Sequence, residues 1–372
     1  MSLSTASTPM PTLLALLEAA NRAGQSVLLW GPPGVGKSSV IEALAKIREC
    51  AFEVVIGSQR EPSDFNGLPV TTERGVVMEA PAWARRLRGH DNGGILCLDE
   101  LTTASPSIQA AMLRVVNDRV VGDLPLGKGV QVIAAANPPE QAADGWDLTP
   151  PMANRFMHLD FTPSVEDWTM GLITGFPLPM PEPLNPLTTE SLAAARAEVA
   201  AFVRARPHLM HDMPQDMSTT GRAWPSPRTW TMLASILAQV TTEDAALMAA
   251  SGLVGPGPAA EFMTWRAEAN LPDPEAFIED PASVNWDDLT AAPDRAWAAL
   301  AGVVAFATDR GTQEVWRAAW GPLGEACEHN LADVATACSL PLMSTRPGQA
   351  RPPATVKKFT PALRGAGLMP AA

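Results

Sequence analysis

The octapeptide Gly31-Pro32-Pro33-Gly34-Val35-Gly36-Lys37-Ser38 constrains this chain more than any other segment. It follows a short apolar run, residues 26–30 (SVLLW), and precedes a helical pattern, residues 40–47 (VIEALAKI). Strand, glycine-rich turn and helix in that order form the first unit of an α/β domain. The spacing G-x-x-x-x-G-K-[ST] lets the backbone curl so that its amides point at phosphate oxygens. The helix that follows adds the positive end of its dipole. Lys37 is expected on the β- and γ-phosphates and Ser38 on Mg²⁺, with Ser39 completing the cradle.

Four further apolar runs read as strands: residues 52–57, 94–100, 130–138 and 156–161. Helical patterns such as residues 107–118 lie between some of them, and residues 10–24 form a helix that stops at Gly24. The alternation predicts a parallel five-stranded sheet flanked by helices. Near residue 175 the composition changes. Five of the ten residues from Pro177 to Pro186 are proline, which predicts an extended connector. Beyond it the chain is alanine-rich and helical in pattern, as in residues 190–206 and 229–240. The expected organisation is an α/β domain over 1–175, a linker over 176–186, a helical region including a smaller all-α lid over 187–345, and a loosely ordered tail over 346–372.

Chemistry beyond the cradle is expected at strand ends. Residues 95–100 (ILCLDE) place four apolar residues before two acids, so the carboxylates emerge at the carboxyl edge where open α/β sheets bind ligands. Asp99 would hold Mg²⁺ through water, and Glu100 would orient the attacking water. Asn137, ending the next strand, either holds that water or a γ-phosphate oxygen, or turns the chain before Pro138. Arg155 precedes the fifth strand and reads as a finger for a neighbour's γ-phosphate. Ser226 and Pro227 suit the start of a helix. Arg228 then lies in its first turn, against the dipole, where phosphate is the natural counter-charge.

These segments resemble the AAA+ superfamily, and within it the MoxR-like family, over roughly residues 10–275. GPPGVGKS (31–38), ILCLDE (95–100), AAANP (134–138), MANRF (152–156) and SPRTW (226–230) look like its Walker A, Walker B, sensor 1, arginine finger and sensor 2. Residues 62–70 resemble the family's insert before the Walker B strand, and residues 113–126 its helix and hairpin before sensor 1. Asn154 stands where the family often has Asp. Phe65 is the single aromatic candidate for a pore, and Arg119 is a second candidate for reaching across a subunit interface. The resemblance implies an ATP hydrolase using ATP and Mg²⁺, a hexameric ring, remodelling of a protein client, and a separate partner carrying a von Willebrand factor A domain.

Bulk properties exclude some alternatives. Against 27 Lys and Arg stand 40 Asp and Glu, a formal net charge of -13. Such a chain repels a phosphate backbone, so a nucleic-acid motor is the less favoured reading. An ATP-gated, non-catalytic scaffold is the third. No apolar run is long enough to span a bilayer, and MSLSTASTPM has no leader pattern, so a cytoplasmic location is expected. The four cysteines, Cys50, Cys97, Cys327 and Cys338, form no C-x-x-C pair. His208, His211 and Asp212 lie close in sequence but in a Pro- and Met-rich stretch that gives little reason for a metal site.

Overall fold

A computed structural model describes residues 7–73, 75–138, 141, 145–269, 271–348 and 350–369. Residues 1–6, on which the reading of the amino terminus partly rests, lie outside the described residues. Nine strands occur among them: β1 (Ser26–Trp30), β2 (Ala51–Ile56), β3 (Leu68–Thr72), β4 (Gly75–Glu79), β5 (Gly94–Asp99), β6 (Val120–Val121), β7 (Leu124–Pro125), β8 (Val130–Ala136) and β9 (Phe156–Asp160). Five of them form one parallel sheet in the order β2-β5-β8-β1-β9. These are the five apolar runs of the sequence, each within two residues of its expected end. The three inner strands are almost wholly buried, which explains why they read as unbroken apolar runs rather than alternating ones. The chain is thus an α/β P-loop fold followed by a mostly helical part.

The two remaining strand pairs, β3–β4 and β6–β7, are antiparallel hairpins. They lie against each other: Gly122 N–H donates to Phe65 O (3.0 Å) and Asp123 N–H to Met78 O (2.9 Å). Gly67 and Gly122 meet so closely that a Cβ on either would strike backbone. Phe65 lies beneath this junction, 1% exposed, with its ring edge toward Trp83. The aromatic candidate for a pore is therefore a core residue. A large ring beside an equally apolar Trp83 loses more by exposure than it gains.

The compact units cut across the expected linear segmentation. One comprises the chain through Asn185 together with His211–Ala259; the other comprises Pro186–Met210 and Ala260–Ala372. Helices Pro227–Leu237 and Glu243–Val254 belong to the first unit. Gly252 touches the backbone of His158 in β9, where a Cβ would sit 2.2 Å from the carbonyl oxygen. Gln25 Nε2 donates to Met232 O (2.9 Å), and Gln239 Nε2 to Ala19 O (3.0 Å). The proline connector is extended and held: Leu184 bridges Val240, and Thr241 Oγ1 donates to Pro183 O.

The second unit has its own core, built on Phe277, Trp286, Leu300, Trp316, Trp320 and Leu342. The tail expected to be loosely ordered contributes to it. Residues Ala354–Phe359 form a 3-10 turn and Thr360–Gly365 a short helix, and Val356, Phe359 and Leu363 are buried. The Pro-, Ala- and Gly-rich composition concealed three apolar residues spaced to share one helical face. Among the described residues, no helix is long and apolar enough to cross a membrane.

Candidate nucleotide-binding site

The loop leaves β1 at Gly31, whose N–H donates to Ala136 O in β8 (3.2 Å). On its other side a Cβ would lie 2.5 Å from Phe161 O, so only glycine fits between the neighbouring strands. Gly34 and Gly36 have φ of +80° and +93°, the left-handed conformation that the curl requires. Gly36 caps the helix Lys37–Ile47.

Lys37 folds back over the loop. Its ammonium donates to Gly31 O (2.7 Å), Pro32 O (2.9 Å) and Asn137 Oδ1 (2.9 Å). Burial lowers its pKa, and the nearby Asp99 carboxylate works against that shift. Ser38 Oγ donates to Asp99 Oδ2 at 2.6 Å. A hydroxyl and a carboxylate so close offer the hard oxygen donors that suit Mg²⁺. Asn137 thus joins the Lys37 cluster, and Thr102 Oγ1 fixes its carbonyl (3.1 Å).

Glu100 turns out of β5 with φ of +53°. A non-glycine residue in this region carries a strain of about 1–3 kcal/mol and is more often found at functional sites. Its N–H donates to Asp99 Oδ1 (2.9 Å), and its carboxylate accepts from Ser58 Oγ (3.0 Å). Sequence reasoning missed Ser58. Strand register could have found it: Ile56 pairs with Asp99, so the residues just after β2 must stand beside Glu100. A cavity of about 600 Å³ adjoins the loop, lined by Gly34, Gly36, Ser39, Val40, Trp168 and Phe176, among others.

The arginines lie elsewhere. Arg155 precedes β9, and Phe156 is level with Ser26, whereas the phosphate loop begins after Trp30, level with Asp160. Arg155 therefore stands at the amino edge of the sheet, and the span from Phe156 to Asp160, about 13 Å along the strands, separates it from the loop. It donates to Asn117 Oδ1 (3.3 Å) and to Pro151 O. Its pKa is lowered by burial and then by Arg228, with Asp118 opposing. Arg228 is exposed at the start of its helix, two residues beyond Ser226, and lies near enough to act on the charge of Arg155. Ser226 caps that helix and also donates to Asn154 Oδ1 (2.8 Å), while Asn154 Nδ2 reaches Trp224 O (3.4 Å). Asn154, the departure from the family's Asp, is the buried peg between β9 and this helix.

Arg119 does not project outward. Its φ is +57°, and its guanidinium donates to Ser26 Oγ (2.9 Å), Val116 O and Gly24 O (3.2 Å) of its own chain. Burial pushes its pKa down to about 10. Held by three acceptors of its own chain and half-buried, this cation acts as a clamp between the helix end and β1. His211 sets its ring edge-on to Trp224, and among the described residues no cluster of three or more His, Cys, Asp or Glu could hold a metal.

A parallel sheet, a glycine-rich turn over a buried lysine, and a serine–aspartate pair at the carboxyl edge define a P-loop nucleotide-binding protein. Residues 26–156 match the AAA domain family, dynein-related subfamily. The nitrogen fixation protein AnfA of Azotobacter vinelandii is 29% identical over 138 residues, covering 35% of this chain and 26% of that protein. The chain therefore matches about a quarter of that relative's length. A crystal structure from Cytophaga hutchinsonii, of a protein described provisionally as an ATPase, covers 75% of this chain and 91% of its own at 14% identity. Its TM-score is 0.40.

Proposed function

We propose that the chain is an Mg²⁺·ATP hydrolase of the MoxR-like type, working in the cytoplasm as a ring in which each site is completed by the next subunit. The observation that carries this reading is the separation of the two groups of residues. Lys37, Ser38, Asp99 and Asn137 form one hydrogen-bonded cluster at the carboxyl edge, while Arg155 and Arg228 stand together at the amino edge. Arginines at that edge serve a site on another copy, not their own. Two guanidiniums this near repel, and a triphosphate from a neighbour supplies the counter-charge.

In this reading the loop from Gly31 to Ser39 wraps the phosphates, and Lys37 exchanges its carbonyl partners for the β- and γ-oxygens. Ser38 and Asp99 would hold Mg²⁺, Asp99 through water, and the ion would supply positive charge against the phosphates. Glu100, oriented by Ser58, polarises the attacking water, and Asn137 aligns it. Arg155 and Arg228 stabilise the charge that develops on the transferred group. The cavity beside Val40 and Trp168 accommodates base and ribose. A hexamer, a protein client to be remodelled and a separate von Willebrand factor A partner follow from the motif resemblance.

Glu100→Gln tests the assignment. The variant is expected to bind Mg²⁺·ATP with wild-type affinity, to lose about 10²–10⁴-fold in turnover, and to accumulate as assembled rings on size measurement. Normal turnover in Glu100→Gln would remove it as the base. A wild-type chain that takes up no adenine nucleotide in calorimetry would end the whole reading.

A further inference from the structure

A second cation touches the stem of the phosphate loop, and no motif accounts for it. Arg222 lies six residues before Arg228. Its guanidinium sits 4.0 Å above the centre of the Trp30 ring and pairs with Asp160 at 3.1 Å. Trp30 is the residue immediately before Gly31, and Asp160 is its partner in β9. Phe161 N–H donates to Trp30 O (2.6 Å), so Arg222 grips both strands at the point where the loop begins.

Trp30 is held from its edge as well. Its N–H donates to His158 Nδ1 (2.9 Å), and His158 Nε2 lies 2.8 Å from Ala153 O. An indole can only donate, so Nδ1 is the acceptor and Nε2–H the donor to Ala153. The imidazole is thus neutral, in one tautomer. With this hub fixed, Arg222 links Trp30 to the segment leading to Arg228.

That segment runs the length of the sheet. At residue 222 it touches Asp160, level with the loop; at Trp224 and Ser226 it is pegged to Asn154; at Arg228 it lies near enough to act on the charge of Arg155. Both proline residues in it, Pro225 and Pro227, limit its backbone freedom.

We propose that Arg222 is a positioning residue which holds Trp30, the last residue before the phosphate loop, and that the strap from Arg222 to Arg228 joins a chain's own nucleotide loop to the arginines it presents to its neighbour. This rests on the nucleotide reading above and adds to it a route between adjacent sites. Coupling of this kind needs a contiguous element whose position both sites bias, and the strap is one.

Calorimetry and steady-state turnover on the full-length assembled protein test it. Arg222→Ala is expected to weaken Mg²⁺·ATP binding about threefold to thirtyfold, the range for a stacked cation, and to lower kcat at saturating ATP. Arg222→Lys, which keeps a cation over the ring, should recover part of both. The double variant Arg222→Ala/Arg228→Ala should lose less kcat than the product of the single losses, because the two act through one strap. A lower melting temperature with unchanged affinity at a temperature where the variant is folded would make Arg222 merely structural and overturn the proposal. Independent, multiplicative losses would overturn the strap. If the wild type takes up no Mg²⁺·ATP, the nucleotide reading falls and this falls with it; if the wild type binds and Arg222→Ala binds equally, this alone falls.

Discussion

The two edges of the central sheet are built in opposite ways. At the carboxyl edge every candidate group has a partner of complementary character: ammonium to carbonyls and amide, hydroxyl to carboxylate, carboxylate to serine. At the amino edge two cations, Arg155 and Arg228, lie near enough to act on each other's charge, with Asp118 opposing at Arg155. A preorganised cluster and a partly compensated pair of like charges differ in what they need. The first is ready to exchange partners for phosphate oxygens, whereas the second gains only when an anion arrives.

The largest effect should come from the amino edge. Arg155→Ala is expected to cut turnover by about 10³–10⁵ while leaving nucleotide affinity nearly unchanged, as read by steady-state assay and calorimetry. Mixing Arg155→Ala subunits with Lys37→Ala subunits should return part of the activity, since each supplies what the other's site lacks. No recovery in mixed assemblies would erase the contrast between the edges. Lys37→Ala strikes the carboxyl edge, removing a buried charged donor to the phosphates. It should weaken Mg²⁺·ATP binding by about 100-fold or more, and calorimetry reads this directly.

The smallest effect tests the strand between the edges. Burial pushes the pKa of His158 down to about 4, with the Ala153 carbonyl bond opposing and Arg222 assisting, against a usual 6.5. A depressed histidine gives stability that is complete above pH 6.5, where folded and unfolded forms are both neutral. As pH falls the unfolded chain takes up the proton first, so stability drains away between about 6.5 and 4, by up to ~3 kcal/mol. Urea melts of the wild type and His158→Gln at a series of pH values check this. A variant with the same slope as the wild type across that window would show that His158 is not the group responsible.

Much of the fold was legible because burial writes itself into composition. β1, β5 and β8 are covered on both faces, so their apolar runs have no polar interruptions to confuse their limits. The phosphate loop was legible because its geometry admits few residue types: glycine between β8 and Phe161 O, and glycines at two left-handed positions. Asp99 and Glu100 were legible at the sheet's edge because the first ends such a strand and the second follows it.

What remained hidden depends on residues far apart in sequence. Ser58 meets Glu100 only through the β2–β5 register, and Arg222 meets Trp30 only once helices of residues 211–259 pack on β9. Phe65 and Arg119 are a ring and a cation whose burial cannot be inferred from their immediate neighbours in the chain. A residue's local pattern sets which conformation it adopts and which face it shows. Which partner it meets is set by the packing of elements whose contacts lie 40 to more than 190 positions apart, as Ser58 with Glu100 and Trp30 with Arg222 do. The sequence by itself determined the parallel sheet, the glycine cradle and its acids, because each rests on local sterics and continuous burial. Only the tertiary structure decided that Arg155 and Arg228 stand together at the edge away from their own loop, because strand direction and packing, not sequence distance, place a charge.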